Sequence, residues 1–324
     1  MVVHDESQAR LLEKIGVDLG DITQQYLQEA QVTEILLNPN GSLWVDELGS
    51  GLRCVGEMPS SQAMSLIATL AYANQRVVDK HQPILECELP TDGSRFHGII
   101  PPVVSAPCFS IRKRASSVFS LASYVTTGGL SQGQATALEQ AIARRSNVLV
   151  VGGTGSGKTT FANALLQSMV SQYPDHRLVV LEDTPELQCD DPKALFKRTS
   201  ATVSMRALLR SSLRMRPDRL IVGEVRDGAA LELLKAWNTG HPGGVATLHA
   251  NSALEGLHRL EQLVLEVTPS PMQRLIAQAV DVVVFLEKTA QGRRVSRLLA
   301  IKGFEEGQYC VVPLEAMTDE ASDA

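Results

Sequence analysis

One segment constrains the fold more than any other: NVLVVGGTGSGKTTFANALLQSM, residues 147–169. NVLVV reads as an apolar strand, GGTGSGKT is dense in glycine, and Phe161, Leu165, Leu166 and Met169 then recur at helical spacing. A continuously apolar strand that turns through glycines into a helix belongs in a parallel sheet covered on both faces. The same alternation continues downstream. Strand-like LVVLE (178–182), LIVGE (220–224), VATLH (245–249) and VVVFL (282–286) are separated by helical stretches, and RLLAIKGFEEGQYCVVPLE reads as a terminal hairpin.

Upstream the pattern differs. Residues 5–30 read as an amphipathic helix, NPNGSLWVDE as a turn and strand, 61–75 as a buried helix, and 84–103 as two strands joined at TDG. At 324 residues the chain is long for one core. The sequence therefore predicts an α+β domain over 1–114, a Ser/Thr/Gly-rich linker over 115–134, and an α/β domain over 135–324.

GGTGSGKT matches G-x-x-x-x-G-K-[ST] in full, with the strand before and the helix after that the motif requires. Its glycines let backbone N–H groups wrap phosphate, and the helix N-terminus adds its positive end. Gly152, Gly153, Thr154, Gly155, Ser156, Gly157, Lys158, Thr159 and Thr160 are thus expected to bind a nucleoside triphosphate. Lys158 is placed for the β- and γ-phosphates and Thr159 for Mg²⁺.

Two later strands end in carboxylates: Glu182 and Asp183 in LVVLEDTPE, and Glu224 in LIVGEVRD. Strand C-termini line the ligand crevice of such a sheet, so these groups either serve Mg²⁺ and the attacking water or cap helices at the surface. Glu186 has the least claim among them. TGHPGGVATLHANS carries two of only seven histidines, His241 and His249. They are candidates for metal ligands, an acid–base pair or a sensor of bound phosphate, and the eight-residue separation is not a usual metal spacing.

Other classes are disfavoured. The longest apolar runs fall far short of the ~20 residues that cross a bilayer. MVVHDESQAR lacks the charged and apolar regions of a secretory signal. Five scattered cysteines point to reduced thiols in a cytoplasmic compartment. A net charge of −6 and 4% aromatic residues argue against direct nucleic-acid binding, despite local basic clusters at Arg112–Arg114 and Arg206–Arg219. The terminal TDEASDA reads as an acidic, disordered tail.

GGTGSGKTT, VVLEDTPELQ, LRMRPDRLIVGEVRDGAALELLKAWNTGH and GGVATLHANSA together resemble, in this order, the secretion and traffic ATPases, most of all their conjugal-transfer branch. The resemblance implies a RecA-like ATPase domain preceded by a smaller PAS-like domain. It implies hydrolysis of ATP with Mg²⁺, by a homo-hexamer docked on integral inner-membrane components of a conjugation or type IV secretion apparatus at its cytoplasmic face. Pilus or type II secretion is the neighbouring alternative, and a nucleic-acid translocase a more distant one. On matching residues, Glu224 is the catalytic glutamate, Glu182 an acidic-box residue near the metal, and His241 and His249 form a histidine box. Gly223 stands where other P-loop enzymes carry a strand-end aspartate. Arg95 and Arg112, and less so Arg114, match arginines that the first domain contributes to the nucleotide. Arg206, Arg210, Arg214 and Arg216 either face a neighbouring subunit or form an exposed basic face.

Overall fold

The computed structural model describes residues 2–47, 50–114, 118–200, 202–289 and 292–319. The chain divides into two compact units, Met1–Ser116 and Ser117–Ala324. The acidic C-terminal run from Glu320 lies outside the described residues, as do 115–117 of the expected linker.

In the first unit α1 (Val2–Gln28), interrupted at Gly20, precedes β1 (Val32–Leu37), β2 (Ser42–Glu47) and β3 (Gly51–Glu57). Then come α2 (Ser60–Ala73), β4 (Ile84–Glu88), β5 (Arg95–Ile99) and β6 (Cys108–Arg112). The strands form one antiparallel sheet in the order β3-β2-β1-β6-β5-β4. Alternation turns Ile35, Leu37, Val45, Phe96, Phe109 and Ile111 to one face, where Leu66, Ile67 and Leu70 of α2 close the core.

The second unit opens with α3 (Leu121–Thr126) and α4 (Gln132–Ala143), so most of the expected linker is folded. Leu121 and Leu130 are buried in this unit's core, which is why Ser/Thr/Gly-rich composition misled: Ser120 and Ser131 are helix N-caps rather than linker residues. There follow β7 (Val148–Gly152), α5 (Lys158–Gln172), β8 (Leu178–Glu182), β9 (Leu195–Arg198), α6 (Met205–Ser212), β10 (Arg219–Val222) and α7 (Ala229–Asn238). The unit ends with β11 (Val245–His249), α8 (Ala253–Leu265), α9 (Gln273–Ala279), β12 (Val282–Thr289), β13 (Gly292–Glu305) and β14 (Gln308–Pro313). The sheet order is β14-β13-β12-β7-β11-β10-β8-β9. Its six strands from β12 to β9 are parallel, and β13 and β14 extend it antiparallel.

Helices cover both faces, which explains the unbroken apolar runs of β7, β8 and β10. The N-terminal edge of this sheet is fixed by polar groups. Asn147 accepts from the amides of Gly243 and Gly244 and donates to the Ala279 carbonyl. Arg219 is fully buried and donates to the Gly243 and Ile142 carbonyls and to His176 Nδ1, with the Tyr173 ring 5.1 Å away. Burial pulls its guanidinium down to about 10, still charged at neutral pH. With one edge pinned, the opposite, carboxyl edge carries the loops.

Candidate functional site

The chain turns at Gly152 from β7 into the 153–157 loop, and α5 begins at Lys158. Gly157 has φ +92°, and a Cβ there would also stand 3.0 Å from the Arg293 side chain, so only glycine fits. A Cβ on Gly152 would meet the Ser156 hydroxyl at 2.5 Å. The result is a tight loop over the positive end of a 15-residue helix with no acidic residue in its first turn.

Lys158 is only 8% exposed, and its Nζ donates back to the Gly152 and Gly153 carbonyls at 3.0 and 3.1 Å. The same Nζ lies 3.2 Å from His249 Nδ1. Register explains the meeting, since His249 pairs with Gly152 at the end of β11. His249 Nε2 in turn stands 3.1 Å from Glu224 Oε1, and Arg226 grips the other oxygen of Glu224 through both Nε and a terminal nitrogen. That pairing holds the Arg226 guanidinium above its ordinary value, and Asp183 lies 4.0 Å off. Lys158, His249, Glu224 and Arg226 thus form one continuous polar chain across three strand ends.

Glu182 ends β8 and is 2% exposed. Its Oε1 accepts from the amides of Glu186 and Leu187 at 2.8 and 2.7 Å, and burial raises its carboxyl above the usual range against those bonds. A Cβ on Gly223 would come within 3.1 Å of Glu182 Cγ, so the absent strand-end side chain is what makes room for Glu182.

The carboxylate beside Thr159 is Glu186 rather than Glu182: the Thr159 hydroxyl donates to Glu186 Oε2 at 2.8 Å. A hydroxyl and a carboxylate at the head of a phosphate-binding helix are the hard oxygen donors that Mg²⁺ prefers, so the residues fit that ion. Sequence alone gave Glu186 no advantage, because the turn that brings it back is set by its own amide on Glu182.

The two histidines separate. His241 precedes β11, at the Asn147 and Arg219 edge of the sheet, whereas His249 closes the strand at the cradle. The five residues of β11 set them on the order of 15 Å apart. His241 therefore stands away from the cradle, at the other end of β11 from His249. Arg206 and Arg210 both pair with Glu232 of α7, so α6 spends its basic face within the unit. Arg95 and Arg112 are cross-strand partners on β5 and β6 of the first unit, with Arg112 3.7 Å from Glu34, and Arg114 packs on Gly93. Arg293, absent from every motif, donates to the Gly155 carbonyl at 2.9 Å.

A phosphate cradle at the carboxyl edge of a parallel sheet, faced by a glutamate–histidine pair, defines a P-loop ATPase of the α/β class. The chain belongs to the type II/IV secretion system protein family, which matches residues 20–297. It is 48% identical over 317 residues to "Probable conjugal transfer protein TrbB" of Sinorhizobium fredii, covering 98% of this chain and 97% of that protein. It is 49% identical over 303 residues to "Conjugal transfer protein TrbB" of Rhizobium radiobacter, covering 94% of each. Among solved structures, the Legionella pneumophila ATPase DotB shares the fold at a TM-score of 0.63 and 16% identity, over 92% of this chain and 82% of that one. No helix among the described residues is long and apolar enough to cross a membrane.

Proposed function

We propose that this chain hydrolyses ATP with Mg²⁺ to energise a conjugation or type IV secretion apparatus. The observation that carries the reading is the continuous chain from Lys158 through His249 to Glu224 at the cradle. Lys158 exchanges its carbonyl partners for the β- and γ-phosphates. Thr159 and Glu186 hold Mg²⁺, which when bound supplies charge neutralisation at the phosphate oxygens. Glu224 orients the attacking water and takes its proton, and His249 reports the γ-phosphate to Glu224. Glu182 acts one step back, by fixing the turn that presents Glu186.

The conjugal-transfer names of the relatives support the choice of apparatus. In this reading six chains form a ring at the cytoplasmic face of the inner membrane, docked on integral-membrane partners. The second unit is RecA-like and the first PAS-like. The test is ATP turnover per chain against protein concentration, in Mg²⁺ and without nucleic acid, with light scattering on the same samples. Activity that rises as a hexamer assembles supports the ring motor. A monomer with full activity overturns the ring, and turnover that requires DNA overturns the apparatus reading in favour of a translocase.

A further inference from the structure

The hairpin of β12 and β13 runs past the cradle and returns an arginine to it. Leu286 pairs with Gly152, so Glu287–Thr289 extend beyond the end of β7, by about 10 Å at strand rise. β13 pairs back antiparallel with Arg293 opposite Lys288. Its stem is fixed: the Val295 amide donates to the Gly129 carbonyl at 2.8 Å, and a Cβ on Gly129 would stand 3.0 Å from the Arg293 carbonyl. From this footing Arg293 Nε reaches the Gly155 carbonyl at 2.9 Å while its Cδ lies against Gly157.

A trans peptide carries its C=O and N–H in opposite directions. A cation on the Gly155 carbonyl therefore turns the Ser156 N–H to the other side of the loop and polarises it as a donor. On that side the peptide is lightly engaged. The Ser156 amide makes one long contact, 3.3 Å, with the Gly153 carbonyl, and the buried Ser156 hydroxyl has no hydrogen-bond partner among the described residues. A charge-assisted bond outside and a nearly unspent donor inside are the arrangement an oxyanion needs.

We infer that Arg293 is a positioning residue of the cradle: by holding the Gly155 carbonyl it presents the Ser156 N–H to nucleotide phosphate. This rests on the nucleotide-binding reading of the loop. The role is distinct from that of Lys158, because Arg293 acts through the backbone and not on the phosphate.

The test compares the full-length wild type, Arg293→Gln, Arg293→Lys and Lys158→Ala. It measures the Kd for a fluorescent ATP analogue, steady-state KM and kcat, and melting temperature without nucleotide. Arg293→Gln is expected to weaken binding about tenfold, the loss of one hydrogen bond to a charged group, with KM rising by the same factor. Arg293→Lys restores part of the affinity, and both variants melt with the wild type. Wild-type Kd and KM in Arg293→Gln overturn the inference, as does a fall in kcat with Kd unchanged. Loss of affinity together with a lowered melting temperature in both Arg293 variants also overturns it, by making the residue merely structural. Failure of the wild type to bind the analogue instead sinks the cradle reading itself.

Discussion

His249 and Glu224 face one another at the carboxyl edge of the second sheet, Nε2 to Oε1 at 3.1 Å, with the ring's Nδ1 3.2 Å from Lys158 Nζ. In the proposed function this imidazole sits between the cation for phosphate and the carboxylate for water, and so is coupled to both. His249→Ala is expected to lower kcat about 10- to 100-fold, the range for losing a hydrogen bond to a charged group. Affinity for ATP should change by much less, as titration of a fluorescent analogue will read.

Glu224→Gln keeps the shape and removes the carboxylate that the proposed function uses as base. Turnover should fall by about 10²–10⁴, the usual span for a general base, while nucleotide binding persists. Wild-type turnover in this variant would remove Glu224 from the chemistry.

Glu182 separates architecture from catalysis. Glu182→Ala strands the amides of Glu186 and Leu187 and is expected to destabilise the second unit by about 1–3 kcal/mol for each buried donor, read by chemical denaturation. Glu182→Gln keeps an acceptor oxygen and removes a carboxylate that burial disfavours, so stability should hold. Turnover near wild type in the Gln variant marks a supporting role; loss of turnover with stability intact marks a direct one.

The 2.8 Å contact between Thr159 and Glu186 predicts a metal phenotype. Glu186→Gln should raise the Mg²⁺ concentration that half-saturates turnover, by roughly tenfold, the effect of losing about 1.4 kcal/mol of metal binding. Affinity for nucleotide in the absence of Mg²⁺ is the control and should not move. An unchanged Mg²⁺ dependence would return the metal to Glu182.

The buried edge of the sheet predicts a pH effect on stability. His176 is held below the usual histidine range, first by burial and then by the charges of Arg219 and Arg145. The folded state therefore takes up a proton on this ring less readily than the unfolded chain, where histidine titrates near 6.5. The unfolded state binds more protons below that pH, so stability is full above it and is lost as pH falls. The melting temperature should drop between pH 7.5 and 5.5, and His176→Gln should flatten that drop.

The sequence was informative where local chemistry dictates structure and silent where a fold must bring distant residues together. The strand–loop–helix at 147–169 was readable because glycine geometry and periodicity need no partner. The strand positions of Glu182 and His249 followed from apolar runs that end in one polar residue. Glu186 was undervalued because its position depends on a turn pinned by two amides, which no periodicity encodes. Arg293 was missed because only the overhang of β12 beyond β7, a matter of sheet register, carries it to the loop. His241 and His249 share one motif of the resembling family, and the strand between them carries them to opposite edges of the sheet.

The close packing of Glu182 on Gly223 bears on what position 223 can accept. Glycine and an acidic residue are one nucleotide change apart, aspartate from two of the glycine codons and glutamate from the other two, so a strand-end acid at 223 is a short mutational step. The new Cβ would nonetheless press at 3.1 Å on Glu182, whose carboxyl already holds the neighbouring turn. The two positions are thus coupled: a side chain at 223 requires Glu182 to give by a few tenths of an ångström. The effect of any replacement at 223 is therefore set by how far the Glu182 turn can yield.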